Sequence, residues 1–435
     1  VERPTDEALR KAQTTLRGLV SDGPSQLPSL NLVADSIRLE LEKSGQIALL
    51  YVSLSRYGRL EPVFGWRIVG EILDAVAANL EGMVGSTLRR LDVISDFTLT
   101  DDAFIVLLSP PRSTAGIGDD DLAAVTRRVY ERLQSLLLND LAPGVYDRVH
   151  PSVGSAVLAV DPSATFEQNL QWGLALAMQA AAEQAALYDR DLEATLADCV
   201  AHGDLEPLFE PIVEPAARDV VGYRSSVRGP FYSPLRLPDV LLDVARRSQV
   251  LASYGVAARE ATMSAAAGLR PDDLLFLGCA AGELPNAAVV AVSEFYSLNQ
   301  ALVPQHVVFD IDAADLGANP ASTLRTLADV RDMGFQLCVS GLGARFTALE
   351  LIAEARPDFL CLDPVLMSAL GDDLTALDVI QLLVRFAGRV HAQLIATGVR
   401  DAAQQQLLTR NGLELFCGEA FARADTRLPQ VAFAE

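Results

Sequence analysis

Arg224, Ser226 and Arg228 alternate along a stretch that opens with apolar residues near Val220. On a β-strand successive side chains point to opposite faces, so these three share one face. Two guanidiniums and a hydroxyl on one face can hold a phosphate through charge-assisted hydrogen bonds. Arg89-Arg90-Leu91-Asp92 carries an Arg-x-x-Asp spacing that by itself reads as an ion pair at a helix end. Asp101-Asp102 reads as a solvated acidic turn. The five cysteines (Cys199, Cys279, Cys338, Cys361 and Cys417) are odd in number and form no CxxC pair. With four scattered histidines, they suggest neither a disulfide frame nor a zinc motif, and no metal site is expected from them. Cysteine near a barrel interior reads first as core filling.

The elements that must position these groups follow from periodicity. Residues 5 to 20 read as a helix, with Thr5 as N-cap and Leu9, Leu16 and Leu19 near one face. From Leu27 to Gln184 the expected order is helix, strand, helix, strand pair, helix, strand, helix. Its clearest strands are Ile47–Leu54, Phe104–Leu108 and Ser152–Ala159. Phe166 to Val200 is rich in alanine and almost continuously helical, which suits a stiff connector. Beyond Pro207 short apolar strands alternate with helices: Leu208–Val213, Val220–Val227, Leu274–Leu277, Val307–Ile311, Gln336–Val339, Phe359–Leu362, Gln393–Ala396 and Leu415–Cys417. Such a series predicts a barrel of TIM type. The turn between the first two strands is too short for a crossover, so that pair is expected to be antiparallel. The expected division is 1–26 leader helix and linker, 27–184 first domain, 185–200 connecting helix and 201–435 second domain.

Composition narrows the partners. A 435-residue chain is long for one domain, and half of its residues are apolar, enough for sizeable cores. A net charge of -22 argues against nucleic acid or an anionic membrane surface as partner. No run of apolar residues is long enough to span a bilayer, and no secretory signal is visible. The unpaired cysteines suit a reducing compartment, so a cytoplasmic location is expected. The chain opens on Val1, so it is read as a fragment that an upstream sensor or membrane segment could precede.

Gly222-Tyr223-Arg224-Ser225-Ser226-Val227-Arg228 resembles the signature strand of the EAL family, bacterial phosphodiesterases that cleave cyclic di-GMP. That strand reads glycine, aromatic, Glu-Ala-Leu, an apolar residue and arginine; here Arg-Ser-Ser stands in the place of Glu-Ala-Leu. The resemblance continues in order. Phe209-Glu210-Pro211-Ile212-Val213 is similar to the opening aromatic-Gln-Pro-Ile-Val, and Val307–Ala313 to the Glu-x-Thr-Glu strand. Val339-Ser340-Gly341-Leu342-Gly343 is similar to Asp-Asp-Phe-Gly, and Pro357–Asp363 to Pro-Asp-x-x-Lys-x-Asp. Ile395–Arg400 is similar to Ala-Glu-Gly-Val-Glu, and Gly412–Gly418 to the closing Gly-x-x-x-x-Gln-Gly.

The family's chemistry needs carboxylates that hold two divalent cations and activate a water. By this resemblance the signature Glu is Arg224 and the Asn after the third strand is Gly278. The next Glu is Asp310, the Asp-Asp pair is Ser340-Gly341, the Lys is Cys361, the next Glu is Thr397 and the closing Gln is Cys417. A fold kept without its reaction is therefore expected, with no metal and no cofactor. Arg228 matches the arginine that contacts a ligand phosphate in the family. Two roles stay open for this face. Arg224, Ser226 and Arg228, with Asp310 beside them, could form a ligand site for cyclic di-GMP or another phosphate compound. Alternatively, Arg224 pairs with Asp310 or Asp312 as counter-charge.

The first half resembles the GGDEF family of diguanylate cyclases. Leu27-Pro28-Ser29-Leu30 is similar to Leu-Pro-Asn-Arg, and Thr100-Asp101-Asp102-Ala103-Phe104 takes the place of Gly-Gly-Asp-Glu-Phe. Ser53 and Ser55 stand where that family's strand carries metal-binding acids, so cyclase activity is not expected. Arg89 and Asp92 match its Arg-x-x-Asp inhibitory site for cyclic di-GMP. The whole implies a GGDEF-like α/β sandwich followed by an EAL-like modified (β/α)8 barrel, both with degenerate signatures. The expected function is that of a non-enzymatic signalling scaffold. Its partner is expected to be a protein, a second copy included, while cyclic di-GMP binding is the alternative.

Overall fold

The structure is a computed structural model and describes residues 27–54, 61–97, 103–108, 118–140, 149–280, 283, 303–317, 319–343, 349–370, 374–431 and 433. The expected leader helix, Ser55 and the Asp101-Asp102 pair lie outside the described residues. The chain divides into two compact units, Val1–Asp191 and Leu192–Glu435.

The first unit runs α1 (Leu30–Ser44), β1 (Gln46–Ser53), α2 (Glu61–Gly82), β2 (Val93–Asp96), β3 (Ala103–Leu108), α3 (Asp119–Asp140), β4 (Ser152–Ala159) and α4 (Phe166–His202). The strands form one sheet in the order β2-β3-β1-β4. All of its neighbours are antiparallel. The period of two explains why β1 is apolar on both faces. Ala48, Leu50 and Val52 pack with Val76 and Leu80 of α2 and Val129 and Leu133 of α3. Ile47, Leu49 and Tyr51 pack with Ile37 and Leu41 of α1 and Leu174, Ala177 and Ala181 of α4. A sheet covered by helices on both sides must be apolar on both sides.

α4 starts at a capping box. Thr165 Oγ1 accepts from the Gln168 N–H at 3.2 Å, and Gln168 Oε1 accepts from the Thr165 N–H at 2.9 Å. The helix sits close on the sheet because β4 offers Gly154. A Cβ there would collide with the Ala177 carbonyl and the Ala181 N–H of α4. The division between the two units falls inside this helix.

The second unit is a closed barrel of β5 (Glu206–Glu214), β6 (Asp219–Arg228), β7 (Leu274–Gly278), β8 (Val307–Asp312), β9 (Gln336–Leu342), β10 (Phe359–Leu362), β11 (Gln393–Ala396) and β12 (Leu415–Phe416). β5 is antiparallel to both of its neighbours, β6 and β12, and the remaining neighbours are parallel. The described helices of the unit are α5 (Pro238–Arg247), α6 (Leu251–Ala265), α7 (Ala313–Leu316), α8 (Pro320–Asp332), α9 (Leu349–Ala355), α10 (Pro364–Ala369), α11 (Leu374–Val390) and α12 (Ala402–Arg410). The modified TIM-type barrel that the strand series predicts is therefore the observed fold. One set of strand residues, including Phe309, Leu337 and Leu360, packs outward against helices. The alternate set, including Ile212, Phe276, Val308, Cys338 and Ile395, fills the interior.

Candidate functional site at the barrel mouth

Arg224 on β6 and Asp310 on β8 are separated by β7. The registers pair Arg224 with Phe276 and Gly278 with Asp310. Gly278 carries no side chain, and a Cβ there would meet nothing within 4 Å. The guanidinium reaches across β7. Arg224 Nε donates to Asp310 Oδ2 at 2.9 Å, with side chains 30% and 5% exposed. The Asp310 carboxylate holds the Arg224 pKa well above the usual guanidinium value. The other Asp310 oxygen is buried and has no hydrogen-bond partner.

Around this pair the floor is sulfur and carboxylate. Glu210 on β5 is the cross-strand partner of Arg224. Burial, and then the Glu210 carboxylate that its thiol meets, push Cys417 up. Cys338 and Cys361, on β9 and β10, bring their sulfurs to 3.4 Å. Burial likewise raises the Cys338 thiol. All five cysteines are free and buried.

A cavity of about 300 Å³ opens beside the pair. One wall is Arg224, Ser225, Ser226, Gly278 and Asp310, and the other is Tyr254, Arg259 and Thr262 of α6 with Glu283. Arg259 Nη1 meets Glu283 Oε2 at 3.0 Å, and both side chains are almost fully buried. Burial raises the Glu283 carboxyl against the pull of Arg259. Among the described residues no group of three or more His, Cys, Asp or Glu side chains is placed to hold a metal ion.

The EAL domain profile matches residues 192–424, more than half of the chain. The chain belongs to the EAL family. Two curated relatives are similar over parts of this EAL chain. It is 20% identical over 232 residues to the blue light- and temperature-regulated antirepressor BluF of Escherichia coli K12, covering 52% of this chain and 56% of BluF. It is 29% identical over 122 residues to the cyclic di-GMP phosphodiesterase RocR of Pseudomonas aeruginosa, covering 28% of this chain and 31% of RocR. The chain thus spans little more than half of one curated relative and about a third of the other. Among solved structures, the EAL enzyme Bd1971 in its cAMP-bound form superposes with a TM-score of 0.51 at 15% identity, covering 63% of this chain and 78% of that one. That likeness shows the fold alone. Among the described residues no helix is long and apolar enough to cross a membrane.

The EAL barrel brings some of the sequence-predicted residues together and separates others. Arg224, Ser226 and Asp310 line one cavity. Arg228 is not among its lining residues. The β5–β6 register sets it opposite Glu206, and Arg228 Nη2 meets Glu206 Oε2 at 2.6 Å. Of the two acids offered to Arg224, Asp310 takes it. Asp312 caps α7 by accepting from the Ala314 N–H at 2.8 Å, and lies 3.9 Å from Arg246. Ser340 Oγ donates to the Ile311 carbonyl and Thr397 Oγ1 to the Leu362 carbonyl. The Arg259–Glu283 pair gave no sequence signal, since 24 residues separate its members.

In the first unit Arg89 and Asp92 lie in the turn ahead of β2 and not at a helix end, which corrects the helix-end expectation. A turn brings the Arg89 N–H to Asp92 Oδ2 at 2.6 Å. With Asp121 and Arg128 of α3 they line a separate cavity of about 230 Å³.

Proposed function

We propose that this chain is a non-hydrolysing member of the EAL family that acts by contact with other proteins. The Arg224–Asp310 ion pair is the observation that carries this reading. Family chemistry would need a set of carboxylates around two divalent cations. The groups at the mouth do not fit such a pair of cations. One Asp310 oxygen is taken by a guanidinium, Thr397 is hydrogen-bonded to main chain, and the Cys338 and Cys417 thiols are held protonated by burial. A cation beside Arg224 would also face a fixed positive charge.

The first unit is proposed to be a GGDEF-like sandwich without cyclase activity, with the division 27–184, 185–200 and 201–435. Its three-layer packing and the uncharged Ser53 at the end of β1 support this. Five free, buried cysteines support a cytoplasmic setting.

A receptor for cyclic di-GMP or another phosphate compound is the second reading, favoured by the cavity beside Arg224 and Arg259. Both guanidiniums are already paired, however, and Glu210, Asp239, Glu283 and Asp310 line the same space. That many acids repel an anion. Calorimetric titration of cyclic di-GMP, alongside a turnover assay with Mg²⁺ or Mn²⁺, tests both. No turnover and no saturable heat at high micromolar ligand is expected. Turnover would end the non-hydrolysing reading. Micromolar binding lost in Arg224→Ala would replace the scaffold with a receptor.

A further inference from the structure

The face of α4 that points away from its sheet repeats with a two-fold pattern. Trp172, Leu176, Gln179, Glu183, Ala186 and Arg190 are all exposed and follow one another at intervals of 4, 3, 4, 3 and 4 residues. Trp172 is 53% and Leu176 57% exposed, high values for large apolar side chains within one helical stripe. Eighteen residues make about five helical turns, so the stripe runs straight along the axis for about 27 Å. Alternating intervals of four and three are also the a/d spacing of a helix that pairs with another helix. The opposite face, at Leu174, Ala177 and Ala181, is the one buried on the sheet.

The intervals read the same in both directions, and the centre is Ala181. We propose that this face is a self-association surface on which α4 of a second copy packs antiparallel, about a two-fold axis at the level of Ala181. That axis sets each residue against a suitable partner. Trp172 meets Arg190 of the second copy, a guanidinium on an aromatic face. Leu176 meets Ala186, and Leu187, itself 59% exposed, meets Ala175, so in both of these pairs a large side chain faces a small one. Gln179 meets Glu183, an amide donor against a carboxylate. Within one chain Gln179 Nε2 already donates to Glu183 Oε1 at 2.9 Å, so both groups are oriented along the stripe. Parallel packing is disfavoured, because it would stack Glu183 on Glu183 and Arg190 on Arg190. A two-fold axis is the commonest symmetry of such assemblies.

This inference deepens the protein-contact reading by naming one partner, and the two fail separately. Turnover of cyclic di-GMP would end that reading and leave self-association intact. Sedimentation equilibrium on the full chain, from about 1 to 200 µM, tests the surface. A monomer–dimer equilibrium is expected, weakened tenfold or more by Leu176→Glu with an unchanged far-ultraviolet circular dichroism spectrum. A monomer throughout, or a dimer indifferent to Leu176→Glu, would overturn it. Orientation is read by oxidative cross-linking. In the antiparallel pair the two Leu176 positions lie about 15 Å apart along the axis, so Leu176→Cys alone should not cross-link. The double variant Leu176→Cys with Ala186→Cys should give a covalent dimer. Efficient cross-linking of Leu176→Cys alone would overturn the antiparallel arrangement.

Discussion

Arg224 places a guanidinium over the barrel floor, and Asp310 answers it at 2.9 Å. Removing one member of a fully buried pair costs about 3 to 5 kcal/mol, because the other is left uncompensated. The Arg224 side chain is 30% exposed, and solvent screening lowers the expected loss for Arg224→Ala to about 2 kcal/mol. Replacing both partners, Arg224→Met with Asp310→Leu, should recover most of it. Urea unfolding of Arg224→Met, Asp310→Leu and the double variant closes the cycle, and a single-variant loss under about 0.5 kcal/mol would mean the pair carries no stability. Cys279 supplies a pH test. Burial, then the Glu283 carboxylate, push its thiol from 9.0 to about 12. The folded state keeps a proton that the unfolded chain releases. The resulting stability is fully present below pH 9 and is lost as pH rises toward about 12. Wild type should therefore lose stability relative to Cys279→Ala between about pH 9 and 11, by up to about 1.4 kcal/mol per pH unit. A difference that does not change with pH would show that the thiol is not held protonated.

Elements set what these residues can reach. β7 lies between Arg224 and Asp310, and the long guanidinium side chain crosses it to meet the carboxylate. Two strand glycines should respond unequally to a methyl group. Gly154→Ala drives a Cβ into the backbone of α4 and should destabilise the sandwich by about 2 to 3 kcal/mol. Gly278→Ala enters open space and should stay within about 0.5 kcal/mol of wild type. Thermal melts of the two variants compare them directly, and equal losses would refute the packing described for α4 on β4. Most elements were legible in the sequence. β4, β10 and β11 have the bounds expected from the sequence, because a buried strand gives way to residues that leave the core. β2 was less legible, since four residues with two buried positions carry little periodicity.

At the scale of the molecule there are two units, each with apolar clusters of its own. Differential scanning calorimetry should resolve two transitions. Gly154→Ala should lower one of them and Arg224→Ala the other. A single transition shifted by both substitutions would show that the units unfold together.

Periodicity and turn chemistry in the chain determined the α/β order of the first unit, the strand series of the barrel and the antiparallel start of that barrel. These are local properties, written in runs of neighbouring residues. The residue types at the mouth were also plain, Arg224 above all. Tertiary structure alone decided their partners. Asp310 and Asp312 are two residues apart, alike in charge and of one parity, yet Asp310 meets Arg224 while Asp312, the last residue of β8, caps α7. Arg224 and Arg228 share a strand and a parity, yet Glu206 on the antiparallel neighbour takes Arg228 away from the cavity. Arg259 on α6 found Glu283, and Cys338 found Cys361 across the β9–β10 pairing. Pairings of this kind depend on which strands and helices become neighbours in space, and no local pattern in the chain encodes that.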